Sequence, residues 1–148
     1  MNKGFVVDTN ILISALVTPN GTIAKLVFRD LNNYRLISPQ FLFDEVISKY
    51  DKILKITGYK DNELKGMIYN ISRKIYFIDD KLIAFNYQSE AYNLVKDIDK
   101  KNLLFVALSI KTGFPLWTGD IKLINGLKKN RFSNVIDTSG LMQIIQEN

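Results

Sequence analysis

Cysteine and histidine are both absent from this 148-residue chain. Their absence excludes thiolate nucleophiles, disulfides, Cys/His zinc sites and every mechanism that uses imidazole as a base or a ligand. Any catalysis must therefore use Asp, Glu, Ser, Thr, Tyr, Lys or Arg. Hydrolysis of a phosphodiester by metal-activated water is one of the few common reactions that need only carboxylates from the protein.

Long apolar runs are also absent, because none approaches the roughly 20 residues of a membrane span. The N-terminal segment lacks the charged, apolar and small-residue layout of a signal peptide. We therefore expect a cytoplasmic protein without a membrane partner. A hydrophobic content of 47% in 148 residues is enough for one core and too little for two ordinary domains, so residues 1–148 are predicted to form a single domain.

The charge balance is basic, with 20 Lys and Arg against 15 Asp and Glu, which gives a net charge of +5. If several acids are gathered in one cleft, the remaining surface is more basic still. An acidic cleft in a basic body suits a polyanion such as nucleic acid. A modest positive charge can also serve solubility alone, so charge by itself does not decide between these interpretations.

Short apolar runs typical of strands alternate with segments of helix length, which indicates an α/β protein. The predicted strands cover residues 4–7, 35–37, 75–78, 115–117 and 134–136. The predicted helices cover residues 11–17, 22–31, 39–58, 61–74, 89–95, 103–111, 121–128 and 141–145. The third of these helices is placed with Ser38 as its N-cap and Pro39 in its first turn.

Two of the predicted strands end in an aspartate, Asp8 after the first and Asp120 after the fourth. The carboxyl ends of parallel strands form the crevice where ligands bind, so these two residues could converge. Carboxylates that converge repel one another unless a cation lies between them, which makes a hard divalent metal the first hypothesis. Each aspartate also precedes a predicted helix and could be only its N-cap.

Two further acidic positions have a functional and a structural interpretation. Glu45 lies early in the helix after the second strand, which places it at the crevice end of the sheet, where it can face Asp8. The segment from Asp97 through Asp99 to Asn102 precedes the strongly apolar helix at 103–111. Asp99 and Asn102 would share a helix face if the helix begins by Asp99, and otherwise either could be its N-cap.

These motifs occur in one order along nearly the whole chain: strand-Asp8-Thr9-Asn10, Ser-Pro-x5-Glu45, an Asp-rich turn before Phe-Val-Ala-Leu, and Leu-Trp-Thr118-Gly-Asp120. Together they resemble the PIN domain family. The resemblance implies a three-layer α/β/α fold with a five-stranded, mainly parallel sheet. It also implies an acid cluster that holds Mg²⁺ or Mn²⁺ for cleavage of RNA, and many bacterial members of the family are toxins of toxin–antitoxin pairs.

The resemblance assigns Asp8, Glu45 and Asp120 as the first, second and fourth acids of the family. It assigns Asn10 and Thr118 as polar neighbours that orient ligands or waters. At the third acid the chain departs from the pattern, because the position directly before the apolar helix is Asn102. An amide oxygen can bind Mg²⁺ but carries no charge. Asp99 is then the acid that compensates as a metal ligand, and Asp97 fits less well.

The sequence therefore predicts a metal-dependent endoribonuclease with Asp8, Glu45, Asp99 and Asp120 as catalytic and metal-binding residues, and with activity reduced by Asn102. The expected partners are RNA and a small antitoxin protein, and a homodimer stays open. The alternative is a weak or inactive PIN-like module that binds RNA or a protein partner. A phosphatase that uses Asp97-Ile98-Asp99 fits less well, because that fold places Asp-x-Asp directly after its first strand.

Overall fold

The computed structural model of the protein describes residues 3–29, 31 and 33–146. Its sheet has five strands, which are β1 (Gly4–Val7), β2 (Arg35–Pro39), β3 (Tyr76–Ile78), β4 (Leu116–Trp117) and β5 (Val135–Ile136). Their order in the sheet is β3-β2-β1-β4-β5, and all four neighbouring pairs are parallel. The predicted α/β class and the five-stranded parallel sheet are confirmed.

Helices connect the strands throughout. They are α1 (Thr9–Val17), α2 (Thr22–Phe28), α3 (Phe41–Ser48), α4 (Tyr50–Thr57), α5 (Asp61–Ser72), α6 (Phe85–Val95), α7 (Leu103–Thr112), α8 (Ile121–Lys129) and α9 (Thr138–Gln146). Short 3₁₀ turns at Asp80–Leu82 and Lys100–Asn102 precede α6 and α7.

The order of the strands places helices on both faces of the sheet. From β1 the chain moves outward to β2 and β3, then crosses to β4 and β5 on the other side of β1. Because parallel crossovers are right-handed, helices α1 to α5 and helices α6 to α8 lie on opposite faces. The packing of α1 against α3, α4 and α5, and of α6 against α7 and α8, agrees with this three-layer arrangement.

The central strand β1 is buried on both faces, and Phe5, Val6 and Val7 are at most 1% exposed. Such continuous apolar runs are typical of parallel strands covered by helices. Gly4 permits the close approach of β2, since a Cβ atom there would lie 2.7 Å from the Arg35 carbonyl oxygen. The strands are therefore held in a fixed register, which fixes the positions of the residues that follow them.

The helix predicted over residues 39–58 is wrong at its start and in its middle. Ser38 and Pro39 are the last residues of β2, and the Ser38 hydroxyl donates to the Val7 carbonyl oxygen at 3.0 Å. A residue before proline favours extended backbone, which explains why Ser38 continues the strand. The remainder forms two helices, α3 and α4, that meet at Lys49.

Other helices differ from the prediction only at their ends. Helix α2 ends at Phe28 rather than at residue 31, and Asp30 lies outside the described residues. Helix α6 begins at Phe85 rather than 89, and α9 at Thr138 rather than 141. No single helix in the described part of the chain is long and apolar enough to cross a membrane; α1 and α2 reach that length only as a pair bent by 107°.

Candidate active site

Asp8 and Asp120 lie at the carboxyl ends of neighbouring strands. Asp8 directly follows β1, Asp120 follows β4 after two residues, and the Asp8 N–H donates to the Trp117 carbonyl oxygen at 3.2 Å. The chain leaves β1 and β4 towards opposite sides of the sheet, so this is the topological switch point where α/β proteins bind ligands. The structure thus brings the two aspartates to one crevice.

The Thr118 hydroxyl connects the two aspartates. It donates a hydrogen bond to Asp8 Oδ2 and accepts one from the Asp120 N–H at 3.1 Å. Thr118 is fully buried and Asp8 is 4% exposed, so this contact is shielded from water. Asp8 therefore has a fixed side-chain orientation in the absence of any ligand.

Both aspartates also cap helices. Asp8 Oδ1 accepts a hydrogen bond from the Asn10 N–H at the start of α1, and Asp120 Oδ1 accepts one from the Leu123 N–H in α8, each at 3.1 Å. Each cap uses only one carboxylate oxygen. The structural and functional interpretations are compatible, because neither cap hydrogen bond uses the Oδ2 atom of its aspartate.

Glu45 joins the same edge through Thr9. Glu45 lies in α3, and its Oε1 accepts a hydrogen bond of 2.5 Å from the hydroxyl of Thr9, the first residue of α1. Thr9 is buried and directly follows Asp8. We refer to Asp8, Thr9, Glu45, Thr118 and Asp120 together as the acid edge.

The ionisation of these acids shows that they interact. Burial raises the pKa of Asp8, with a further increase from Asp120, although the hydrogen bonds from Thr118 and Asn10 act in the opposite direction. Burial also raises the pKa of Glu45, and the negative charge of Asp8 adds to that increase. The charge of Asp120 thus disfavours the charged form of Asp8, and the charge of Asp8 disfavours the charged form of Glu45.

The turn that precedes α7 lies nearby but is not bonded to these acids. Asp99 is exposed and its Oδ1 accepts a hydrogen bond from the Lys101 N–H at 3.0 Å, while Asn102 Nδ2 donates to the Asp99 carbonyl oxygen at 3.4 Å. In the described structure neither residue, nor the exposed Asp97, contacts Asp8, Glu45 or Asp120. The roles of Asp99 and Asn102 as ligands remain predictions.

The donor set of the acid edge suits a hard divalent cation, since Mg²⁺ and Mn²⁺ prefer carboxylate and amide oxygens. Among the residues that the structure describes, however, no three acidic side chains lie close enough together to hold one ion. Binding of one ion by Asp8, Glu45 and Asp120 together would therefore require these side chains to move closer to one another. The residues fit the metal chemically, and their metal-binding role remains a prediction.

Three participants in this site were missed by the sequence analysis. Thr9 bonds Glu45, the positive charge of Lys49 lowers the pKa values of Asp8 and Glu45, and that of Lys101 lowers the pKa of Glu45. The spacing of Glu45 and Lys49 by four residues on a predicted helix was a usable signal. Asn10, predicted to orient ligands, is exposed and contributes its backbone N–H to Asp8.

The model of the PIN domain family matches residues 6–139. The chain belongs to the PIN domain family. The match includes Asp8, Glu45 and Asp120, so the acid edge lies within the family's domain and not in an appended segment. PIN domains are generally nucleases.

A solved structure with the same fold is a chain of VapBC2 from Rickettsia felis, which was crystallised bound to a DNA fragment from the VapBC2 promoter. The two chains superpose with a TM-score of 0.67 at 17% sequence identity, over 90% of this PIN domain and 96% of the other chain. No curated protein matches the sequence. At this identity the likeness establishes the fold, and function has to be argued from the acid edge.

Proposed function

We propose that this PIN domain is a metal-dependent endoribonuclease that hydrolyses RNA phosphodiester bonds. The observation that carries the proposal is the acid edge: Asp8 and Asp120 follow neighbouring strands at the switch point of the sheet, and Glu45 is hydrogen-bonded to Thr9 beside them. The charge of Asp120 raises the pKa of Asp8, and the charge of Asp8 raises the pKa of Glu45. Buried acids with raised pKa values in a crevice are typical of functional sites. The net charge of +5 around this edge favours a polyanionic substrate.

Mg²⁺ or Mn²⁺ is the cofactor that this proposal requires, in agreement with the metal dependence typical of PIN domains. When bound, the ion activates water and neutralises charge on the phosphate. Asp8, Glu45 and Asp120 would hold it, with Asp99 or Asn102 completing the site. Thr118 and Thr9 would keep the carboxylates of Asp8 and Glu45 in the required orientation, as partners of metal ligands do.

Lys49 supports this role from the junction of α3 and α4. Its positive charge lowers the pKa values of both Asp8 and Glu45, against the effect of burial. Metal ligands have to be deprotonated, so Lys49 favours the form that binds the ion.

We further propose that the protein acts in the cytoplasm as the toxin of a toxin–antitoxin pair, with a small antitoxin protein as its partner. The support is the fold shared with a chain of VapBC2, a toxin–antitoxin complex, over nearly the full length of both chains. A pull-down with the product of a neighbouring small reading frame tests this part separately. A homodimer remains a prediction.

The decisive experiment compares three proteins on labelled RNA with Mg²⁺ or Mn²⁺ and with chelator. Wild type should cleave only with metal. Asp8→Asn should reduce the rate of RNA cleavage by more than about 10- to 100-fold, which is the loss typical of changing a hydrogen-bond partner of a metal ligand. Asp44→Asn, which neutralises an exposed acid on α3 beside Glu45, should match wild type. Equal cleavage by both variants would contradict the proposal.

A second candidate is a binding module without turnover. Asn102 in place of an acid, together with the lack of a three-acid cluster in the described part of the chain, favours it. Under this alternative, wild type binds RNA or the antitoxin but cleaves nothing at millimolar Mg²⁺ or Mn²⁺. Cleavage that appears only in Asn102→Asp would decide for it.

A further inference from the structure

A cavity of about 440 Å³ lies at the opposite end of the sheet from the acid edge. Four cationic side chains line it: Arg29, Arg35, Arg73 and Lys74. Arg35 begins β2 and pairs in register with Gly4, the first residue of β1, whereas Asp8 follows the last residue of that strand. At about 3.3 Å per residue, the four steps from Gly4 to Asp8 separate the two ends by about 13 Å.

Three elements contribute these four cations. We refer to the cavity lined by Arg29, Arg35, Arg73, Lys74 and Tyr76 as the basic cavity. Arg29 follows α2, Arg73 and Lys74 follow α5, and Arg35 and Tyr76 begin β2 and β3. Within the described ranges, no acidic residue lines the cavity and no ion pair neutralises any of the four cations. Like charges brought together from distant parts of the chain give the cavity a positive potential that attracts an anion.

The simpler explanation is that Arg29 and Arg73 stabilise the C-termini of α2 and α5. Each helix end carries only about half a negative charge, so two ends cannot offset four full positive charges. Arg35 and Lys74 lie outside these helices, and the cap explanation does not account for them. The cavity therefore retains a net positive charge that favours an anion.

Exposed aromatic rings accompany the cations. The Arg35 guanidinium lies 5.6 Å from the centre of the Tyr76 ring, and the Arg73 guanidinium lies 5.8 Å from that of Tyr69. The two tyrosines are 58% and 62% exposed. Arginines that contact phosphates, alternating with accessible rings on which bases stack, are the two components of surfaces that bind single-stranded nucleic acid.

We propose that the basic cavity binds single-stranded RNA through its phosphate backbone and anchors the substrate at a distance from the acid edge. The arginines contact phosphates, and Tyr76 and Tyr69 stack against bases. An acidic protein segment could bind the same cations, but it has no bases that could stack on the exposed rings of Tyr76 and Tyr69. This inference rests on the proposed function only in the choice of RNA as the ligand.

The test measures binding by fluorescence anisotropy of a labelled single-stranded RNA of about 16 nucleotides, with chelator present and Asp8→Asn in every protein to prevent cleavage. Arg35→Gln/Arg73→Gln removes two cations of the basic cavity. The matched control, Lys128→Gln/Lys129→Gln, removes two exposed cations from the C-terminus of α8, which leads to β5 at the opposite edge of the sheet. Arg29→Gln/Lys74→Gln is a second, independent pair.

Loss of two phosphate contacts should reduce the slope of log affinity against log salt by about 1.4, since each contact with a single strand contributes about 0.7. The control pair should leave the slope unchanged. Equal slopes for the control and both cavity pairs overturn the proposal. So does tighter, cavity-dependent binding of polyglutamate than of RNA, which would indicate an acidic protein partner.

Cleavage assays with Asp8 restored separate this proposal from the proposed function. The cavity pairs should raise the KM for an RNA of about 16 nucleotides and leave an RNA of about 4 nucleotides unaffected. If wild type binds RNA through the cavity but cleaves none, only the nuclease proposal fails. If it cleaves RNA and the cavity pairs behave as the control does, only the anchoring proposal fails.

Discussion

The two ends of the central strands differ in the sign of their charges and in how those charges are held. At the carboxyl end, Asp8 is 4% exposed and hydrogen-bonded to Thr118. At the amino end, Arg35 and Arg73 are exposed, and their guanidinium groups lie over the rings of Tyr76 and Tyr69. One end is rigid, buried and acidic, and the other is open and basic.

This difference indicates where stability and function oppose each other. At the acid edge, burial and a neighbouring carboxylate raise the pKa values of Asp8 and Glu45, which makes the charged forms of these two residues unfavourable for folding. The exposed cations of the basic cavity impose little cost, because solvent screens them. We therefore expect removal of a buried negative charge at the acid edge to lower activity and raise stability, and substitutions at the basic cavity to change binding alone.

Thr118→Val should give the largest loss of stability, because it removes the buried hydroxyl that connects Asp8 to Asp120. Activity or metal affinity should fall about 10- to 100-fold, as for other partners of metal ligands. Unfolding free energy should fall by about 1–3 kcal/mol, because Asp8 loses a buried hydrogen bond. The control is Thr57→Val, whose hydroxyl bonds the Ile53 carbonyl oxygen in α4. Unchanged activity in Thr118→Val would contradict the proposal that the acid edge is the active site.

Asp8→Asn should abolish activity and yet raise thermal stability at neutral pH. The folded-state pKa of Asp8 is above its ordinary value of 3.8, so the carboxylate destabilises the fold at pH values above the folded-state pKa. Asparagine removes that charge and still caps α1. The gain should shrink as the pH falls through the folded-state pKa, and it should vanish below 3.8, where Asp8 is protonated in both the folded and the unfolded state.

The control for Asp8→Asn is Asp8→Ala, which removes the charge and the cap together. It should be less stable than Asp8→Asn by about 1 kcal/mol, the usual contribution of an N-cap. Thermal melts across a range of pH measure both differences. A neutral-pH stability loss in Asp8→Asn would show that capping alone explains the residue.

Much of the fold could be predicted because apolar runs and helix-length segments alternate regularly along the chain. The convergence of Asp8 and Asp120 could be predicted because each follows a strand, and parallel strands end at one edge. The helix break at Lys49 could not be predicted, since residues 40–57 contain no glycine and no proline. The local pattern supports one helix there, and packing in three dimensions divides it.

The hydrogen bonds of Thr9 and Thr118 and the basic cavity could not be predicted from the sequence for a different reason. Thr9 and Glu45 are 36 positions apart, and Thr118 and Asp8 are 110 positions apart. Arg29, Arg35 and Arg73 come from separate elements, so no window of sequence shows a basic cluster. Such arrangements exist only after the sheet has formed, and a single sequence carries no signal that pairs their members.

Asn102→Asp tests whether the acid edge lacks a charge. If it does, the substitution should tighten divalent-metal binding by about tenfold or more and increase RNA cleavage, because cation affinity depends on the number of charged ligands. Asp99→Asn keeps the cap on Lys101 and should weaken both if Asp99 compensates. Calorimetric titration and a nuclease assay measure these effects. Asp99→Asn equal to wild type would rule out compensation.

Lys49→Gln should give the smallest effect, a change in pH dependence with little change at the optimum. Its charge lowers the pKa values of Asp8 and Glu45, so its removal lets both rise further. Metal ligands must be deprotonated, and the acidic limb of the pH–activity profile should therefore move to higher pH. Lys52→Gln, an exposed lysine on α4, is the control and should leave the profile in place. A parallel loss of rate at every pH would instead assign Lys49 to substrate contact, and the acid edge would then share with the basic cavity the task of binding phosphate.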